Sequence, residues 1–450
     1  MRRRYIDNIR WTTVVLVVFY HVIFLYSAIE PKLGLGPFRP VQYQDAFPYI
    51  VYPWFMALLF VVSGISSRLY LESHTGKEYL RSRTRKLLVP STLGLFVFQW
   101  IQGYVSMGIS GGVFDGLPLF VRYLILIASG TGVLWFIQLC WVYSAVLLLL
   151  RKAEKDRLYS LCGKLPVWAL VLLVLPLWGA SRILNAPMVI VYRVGFYGFC
   201  FFLGYFIFAH KELVDRLAKA WLPLSAAAVC LCVLFLVTFW GKPYAHHQVL
   251  DTFLCNAYAW SAILAVFAMA KRFWDRESPF GAWMRSWSWG LYVFHYLGIS
   301  ACGYWLDTLG VHSPWVCYPA VTVAGFVGAW VLYQIISRIP VLRWCVLGYS
   351  PRLSLGEGAA AAAEKARQGA PARQPAQALP ERDAAQLRLL YHPGDRPAYG
   401  RLQLFRAVQP RPPQDGAGEQ PAHHAGEVRG KRGQRTLAHP AGHAAVYQEH

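Results

Sequence analysis

The stretch Asp7–Ser27, DNIRWTTVVLVVFYHVIFLYS, preceded by the basic leader MRRRYI, decides the fold of this 450-residue chain. It is an apolar run of nearly bilayer-spanning length that starts among charged residues, and it predicts a retained first transmembrane helix. One histidine, His21, lies within the run, eleven residues after Arg10. At about 100° and 1.5 Å per residue, the two side chains share nearly the same helix face and lie roughly 16 Å apart in depth.

Two interpretations of His21 are open at this point. Ionisable residues inside a membrane are rare and usually face a bundle interior or a wet cavity. That tendency favours a functional site in which His21 is a titratable base and Arg10 a cation at the membrane edge. In the alternative, His21 hydrogen-bonds a neighbouring helix and contributes only to packing.

The rest of the chain repeats the apolar pattern of the first run. The sequence is 56% hydrophobic and only 15% charged, which predicts an all-α polytopic integral membrane protein with about ten transmembrane helices. None of the nine cysteines forms a C-x-x-C pair, so neither a disulfide framework nor a metal site is expected. The predicted spans are 11–29, 48–66, 87–109, 133–150, 165–181, 189–209, 222–240, 252–270, 286–305 and 315–337.

The net charge of +21 is distributed in the way that orients membrane proteins. Lysines and arginines gather in alternate loops, and this positive-inside pattern predicts a cytoplasmic N-terminus and a cytoplasmic C-terminal tail. We therefore expect a multi-pass protein of the inner (plasma) membrane, surrounded by membrane lipid. The same distribution argues against nucleic acid as a partner.

Two motifs follow the first run. The segment VVSGISSRLYL (61–71) ends the second span with small residues, which let another backbone approach closely. The segment YLRSRTRKLLVP (79–90) holds Arg81, Arg83, Arg85 and Lys86 within six residues. These cations are either an ordinary cytoplasmic anchor or a phosphate clamp, since arginine forks match phosphate oxygens.

Two further ionisable residues lie within predicted spans. His295, in SWSWGLYVFHY (286–296), comes ten residues after Arg285, so its depth is close to that of His21. It is either a satisfied core residue or part of a shared site. Arg193 lies about one turn inside the outer end of its span, where it either snorkels to the interface or faces an acceptor.

The composition changes after about Ser350. The last hundred residues lack Trp, Met, Cys, Ile and Asn and hold twelve arginines against two lysines. Such a segment buries too little apolar surface to offset its ordering entropy. We therefore predict a transmembrane domain over residues 1–345 and a disordered low-complexity tail over residues 346–450. An out-of-frame reading of a GC-rich gene is the alternative origin of this composition.

Five segments together resemble the membrane acyltransferase family called acyltransferase type three. In chain order they are RRRYIDNIRWTTVVLVVFYH, VVSGISSRLYL, YLRSRTRKLLVP, GVLWFIQLCWVYS and SWGLYVFH. The first segment is the most specific, because it matches the arginine, ten residues, histidine motif of the family at Arg10 and His21. The basic run resembles the family's RxxR element, with Lys86 in place of the second arginine. Val133 stands where many relatives have a histidine. The resemblance spans roughly residues 1 to 340.

The resemblance implies an acyltransferase that moves an acyl group, most often acetyl and sometimes succinyl, from cytoplasmic acyl-CoA to a hydroxyl. The implied acceptor is a glycan of the cell envelope, a lipid-linked sugar or a similar molecule, and acyl-CoA is the co-substrate without any metal. We expect His21 as general base, with Arg10 either holding the donor at the inner edge or stabilising negative charge. Arg83, Arg85 and Lys86 are expected to bind the CoA phosphates, and His295 and Arg193 are candidates for the acceptor side.

A transporter or flippase of a sugar or lipid-linked substrate is the alternative class, since intramembrane histidine and arginine also line translocation paths. Against it, the sequence has no obvious inverted repeat and no matched pair of spans broken by glycine or proline.

Overall fold

The computed structural model describes residues 3–29, 35–40, 42–111, 116–184 and 193–349. These residues are helical apart from short connections, and no β-strand lies among them, which confirms the all-α class. The helices are α1 (Arg4–Phe24), α2 (Ala46–Val51), α3 (Phe55–Leu71), α4 (Gly76–Arg83), α5 (Val89–Gly94), α6 (Trp100–Ile109), α7 (Leu119–Ser129), α8 (Trp135–Glu154), α9 (Arg157–Cys162), α10 (Val167–Leu172), α11 (Val174–Ala180), α12 (Val194–Leu203), α13 (Lys211–Lys219), α14 (Trp221–Phe239), α15 (His247–Leu250), α16 (Phe253–Phe273), α17 (Pro279–Thr308), α18 (Pro314–Arg338) and α19 (Pro340–Leu347).

Six helical segments of the described chain are long and apolar enough to cross a membrane. They are Arg4–Phe24, Tyr43–Leu71, Gly132–Glu154, Trp221–Phe239, Phe253–Phe273 and Pro314–Arg338. A seventh would be the pair Val194–Phe208 and Lys211–Lys219, which is bent by 96°. Each predicted span overlaps a helix, but the predicted number, about ten, is not confirmed and stays a prediction.

The first helix lies among the long helices of the bundle and packs against α3, α16, α17 and α18. Its N-terminal end is tied to the connection between α16 and α17, because the Asn8 side-chain amide donates to two carbonyls there, the nearer at 2.7 Å. The hydroxyl of Ser278 then caps α17 by accepting from the N–H of Gly281 at 3.0 Å. Pro279 suits the first turn because it has no N–H to leave unsatisfied. The helices that carry His21 and His295 are therefore neighbours.

Close backbone contact holds α3 against α12 and the π-helical turn Gly204–Phe208 that follows it. A methyl group on Gly64 would come within 2.0 Å of the Phe201 carbonyl oxygen. One on Gly204 would come within 2.1 Å of the Val61 carbonyl oxygen. The helix packing predicted from the small residues of the second span is thus confirmed, since only glycine permits this crossing.

The basic run lies on a helix that is widened in its middle. After α4 the chain forms a π-helical turn over Thr84–Leu88 and resumes as α5. Pro90 supplies the reason, because it donates no hydrogen bond and its ring clashes with the carbonyl four residues earlier in a regular helix. Such turns are rare and occur frequently at functional sites.

The ordered chain continues past the predicted end of the membrane domain. Residues 346–349, which the sequence assigned to the tail, belong to the described chain, and α19 extends to Leu347. The side chains of Val346 and Leu347 are buried. The remainder of the predicted tail, residues 350–450, lies outside the described residues.

Candidate active site

A cavity of about 480 Å³ lies where α1, α3, the basic run, α8, α17 and the end of α19 meet. We call it the basic cavity, because four of its lining residues are cations, Arg10, Arg83, Lys86 and Arg285. Among the lining residues, all of them in the described ranges, there is no carboxylate. The remaining wall is largely apolar and aromatic. The attraction between the cations and a bound anion is therefore screened less in this cavity than it would be in water.

Serines of the second span hold two of these cations at the wall. The Arg10 guanidinium donates to Ser66 Oγ at 2.8 Å and to Asp7 Oδ1 at 3.3 Å. The Arg83 guanidinium donates to Ser67 Oγ at 3.1 Å. The serines predicted to serve helix packing therefore also orient arginines, because their hydroxyls accept from the guanidinium groups.

Arg285 is a site residue that the sequence analysis did not select. It lines the basic cavity and forms an ion pair with Glu277 at 2.7 Å, on the half-exposed rim. A usable signal was present, because Arg285 precedes His295 by ten residues much as Arg10 precedes His21 by eleven. The same spacing on two helices places two arginines in one cavity.

Only two of the three predicted donor-binding cations of the basic run face the cavity. Arg83 and Lys86 line it, whereas Arg85 does not. The structure thus separates Arg85 from the two residues that match the family's RxxR element.

His21 and His295 are in contact. Nε2 of His295 lies 3.2 Å from Nδ1 of His21, and the ring centroids are 5.0 Å apart. His295 is fully buried, whereas His21 is only partly buried and also packs against the ring of Tyr296 at 4.9 Å. The matching depth predicted from sequence is therefore realised as a hydrogen-bonded pair.

The neighbouring carbonyls assign the tautomers of the neutral pair. Nδ1 of His295 lies 3.0 Å from the carbonyl oxygens of both Leu291 and Tyr292, and since carbonyls only accept, this nitrogen carries the proton. Its Nε2 is then an acceptor. Nδ1 of His21 lies between that acceptor and the Val17 carbonyl at 2.8 Å, so it is protonated as well. The assignment leaves Nε2 of His21 with a free electron pair and, among the described residues, no hydrogen-bond partner.

The basic cavity extends toward the histidine pair without including it. Tyr292 lines the cavity, and its carbonyl accepts from His295 one helical turn further on. Its hydroxyl donates to the carbonyl of Val133, which ties α17 to the start of α8. On α1, Val14 lines the cavity two turns before His21, about 10 Å in helical rise.

Arg193 lies apart from this group. It is almost fully buried, its guanidinium donates to the Leu250 carbonyl at 3.2 Å and lies 3.5 Å from Asn256 Oδ1, and it stacks over the ring of Phe196 at 4.0 Å. It does not line the basic cavity. Of the predicted site residues, the structure thus brings together Arg10, Arg83 and Lys86 at one cavity and His21 with His295 beyond it, and leaves out Arg85 and Arg193.

Comparison with protein families gives a match over most of the chain. A family model described as an acyltransferase domain matches residues 3–334, which include both histidines and every cation of the basic cavity. No curated protein and no solved structure matches the chain.

Proposed function

The chain belongs to the acyltransferase type three family, and on this premise we propose that it moves an acyl group from cytoplasmic acyl-CoA to a hydroxyl acceptor. Acetyl is the first choice for the acyl group and succinyl the second. The proposed acceptor is a glycan, a lipid-linked sugar or a similar molecule of the cell envelope. The observation that carries the proposal is the basic cavity, whose four cations lie ahead of a histidine pair in which Nε2 of His21 has no hydrogen-bond partner among the described residues.

Acyl-CoA suits the basic cavity because its nucleotide end carries several phosphate charges. Charge-assisted hydrogen bonds to arginine and lysine are among the strongest that proteins make. In the proposal, Arg83 and Lys86 bind these phosphates, with Arg285 nearby. All the lining cations belong to segments predicted to be cytoplasmic, which supports entry of the donor from the cytoplasm. Arg85 is left with a role at the membrane edge.

The histidine pair supplies the base. Nε2 of His21 takes the proton of the acceptor hydroxyl while that oxygen attacks the thioester carbonyl carbon. The carbon–sulfur bond then breaks, the acceptor keeps the acyl group as an ester, and the CoA thiolate leaves and takes up a proton. Arg10 stabilises negative charge at the inner edge or holds the donor. His295 is fully buried behind His21, so the role of a positioning residue suits it better than that of a residue that contacts the acceptor.

The test is transfer of label from [14C]acetyl-CoA in membranes of cells that make the protein. We expect label in the glycan or lipid-linked sugar fraction, accompanied by release of an equal amount of CoA. Membranes with the His21→Ala variant serve as the control and should show neither. The competing class, a transporter, would consume no acetyl-CoA, so unchanged acetyl-CoA in the presence of wild-type protein and envelope acceptors would contradict the proposal.

A further inference from the structure

The segment that follows the last candidate span forms part of the wall of the basic cavity. Leu347 and Tyr349 both line it. The indole N–H of Trp289, another lining residue, donates to the Leu347 carbonyl at 3.1 Å. This segment lies beyond residue 334, where the match to the family model ends.

Gly348 docks the segment on the backbone of the basic run. Its φ of 68° lies in the left-handed region, and an added Cβ would come within 2.4 Å of the Arg85 carbonyl oxygen and 2.8 Å of the Lys86 Cα. Glycine is required here for two reasons: the left-handed backbone conformation disfavours other residues, and the close approach of the basic run leaves no room for a Cβ atom. The backbone of Arg85 and Lys86, from which the Lys86 side chain reaches the cavity, is therefore in direct contact with the C-terminal segment.

A second close contact sets the position of α19. An added Cβ on Gly94 of α5 would come within 3.0 Å of the Cys345 carbonyl oxygen. Cys345 and Val346 are buried at this contact. Because α5 continues the π-helical turn of the basic run, the C-terminal segment contacts this helix at two points, Cys345 at Gly94 and Gly348 at Lys86.

From these contacts we propose that the segment Pro340–Tyr349 is part of the acyl-donor site. Leu347 and Tyr349 contact the bound donor, and Gly348 holds the backbone that presents Lys86. An aromatic ring beside cations suits the adenine and phosphate end of the donor, because bases stack on aromatic side chains while their phosphates pair with cations. The inference rests on the proposed function, which supplies acyl-CoA as the ligand.

The chain offers a matched pair of glycines for the test. Gly310 has the same φ of 68° as Gly348, but an added Cβ there meets nothing within 4 Å. Gly348→Ala and Gly310→Ala therefore impose the same backbone strain, and only the first also disturbs the contact with the basic run. Binding of CoA and of acetyl-CoA to the purified full-length protein, measured by titration calorimetry, should weaken about tenfold more in Gly348→Ala than in Gly310→Ala.

Equal affinities of the two glycine variants would overturn the docking role of Gly348. Tyr349 provides a second test at the end of the segment, where folding is less at risk. Tyr349→Ala should weaken CoA binding several-fold while Tyr349→Phe keeps it, and wild-type affinity in both would overturn the contact. Wild-type protein that binds neither CoA nor acetyl-CoA would instead contradict the proposed function, so the two failures are distinguishable.

Discussion

Two cavities at opposite ends of α1 differ in charge. Arg10 and Val14, in the first half of the helix, line the basic cavity. Tyr26, just past the other end, lines a cavity of about 410 Å³ together with Arg39, Asp307 and His312, which we call the mixed cavity. The histidine of the first helix lies between the two.

The basic cavity concentrates cations, whereas the mixed cavity balances them. The former has four cationic lining residues and no lining carboxylate among the described residues. In the latter, Asp307 Oδ1 lies 3.7 Å from Nδ1 of His312, and Arg39 is the cation of the wall. Part of the positive charge of the chain thus forms one local field, and that field favours a polyanion at the end of α1 where the basic cavity lies.

The sharpest test of the comparison is a pair of histidine variants. His21→Ala should lower kcat for acyl transfer by about 10²- to 10⁴-fold, since that is the usual contribution of a general base, and should leave CoA affinity unchanged. His312→Ala, in the mixed cavity, is the control and should keep the donor affinity and most of the rate. Label transfer from [14C]acetyl-CoA measures the rate, and calorimetry measures the affinity. Wild-type turnover by His21→Ala would reduce this helix to a packing element.

The second test removes two cations of the basic cavity together. Arg83→Ala with Lys86→Ala should raise the KM for acetyl-CoA about 10- to 100-fold, because each charge-assisted contact is typically worth about 1.5–3 kcal/mol and neighbouring contacts are not additive. Arg85→Ala removes the same kind of charge from the same run but outside the cavity, and should change KM about twofold or less. A rise in KM as large for Arg85→Ala as for the double variant would mean that the cavity wall does not select the donor.

The third test concerns a cation that does not line the basic cavity. Arg193→Met should lower the free energy of unfolding by about 1–3 kcal/mol, because it removes the donor to buried Asn256 Oδ1 and one of the two donors to the Leu250 carbonyl, which keeps the bond from the Asn256 amide. The apparent Tm of the detergent-purified variant should fall, while transfer per folded molecule should persist. Loss of transfer at an unchanged Tm would instead indicate an acceptor contact at Arg193, as the sequence suggested.

The smallest effect is expected in the mixed cavity. Arg39→Ala should change the Kd of CoA by about twofold at most, since a distant exposed charge is screened within roughly 8–10 Å at physiological ionic strength. Calorimetry with CoA, run beside the double variant of the basic cavity, measures the contrast. A larger loss would show that the two ends of α1 are electrostatically coupled.

Several features of this protein were readable from its sequence because they follow from local periodicity and composition. Apolar runs predicted the helices, and the small residues around Gly64 predicted a close helix crossing. Helical period placed Arg10 and His21 on one face. In a regular helix, Arg83 and Lys86, three residues apart, would also share a face that excludes Arg85.

The partners of these faces were decided by tertiary structure. Period tells which side of a helix a residue occupies, but helices in lipid associate through close packing and hydrogen bonds, which depend on the shape of a distant neighbour. For that reason the contact between His21 and His295, 274 positions apart, appears only in the folded chain. The docking of Gly348 on the basic run has the same origin. The need for a residue without a Cβ arises only when the backbone of Lys86 packs against Gly348 in the folded chain.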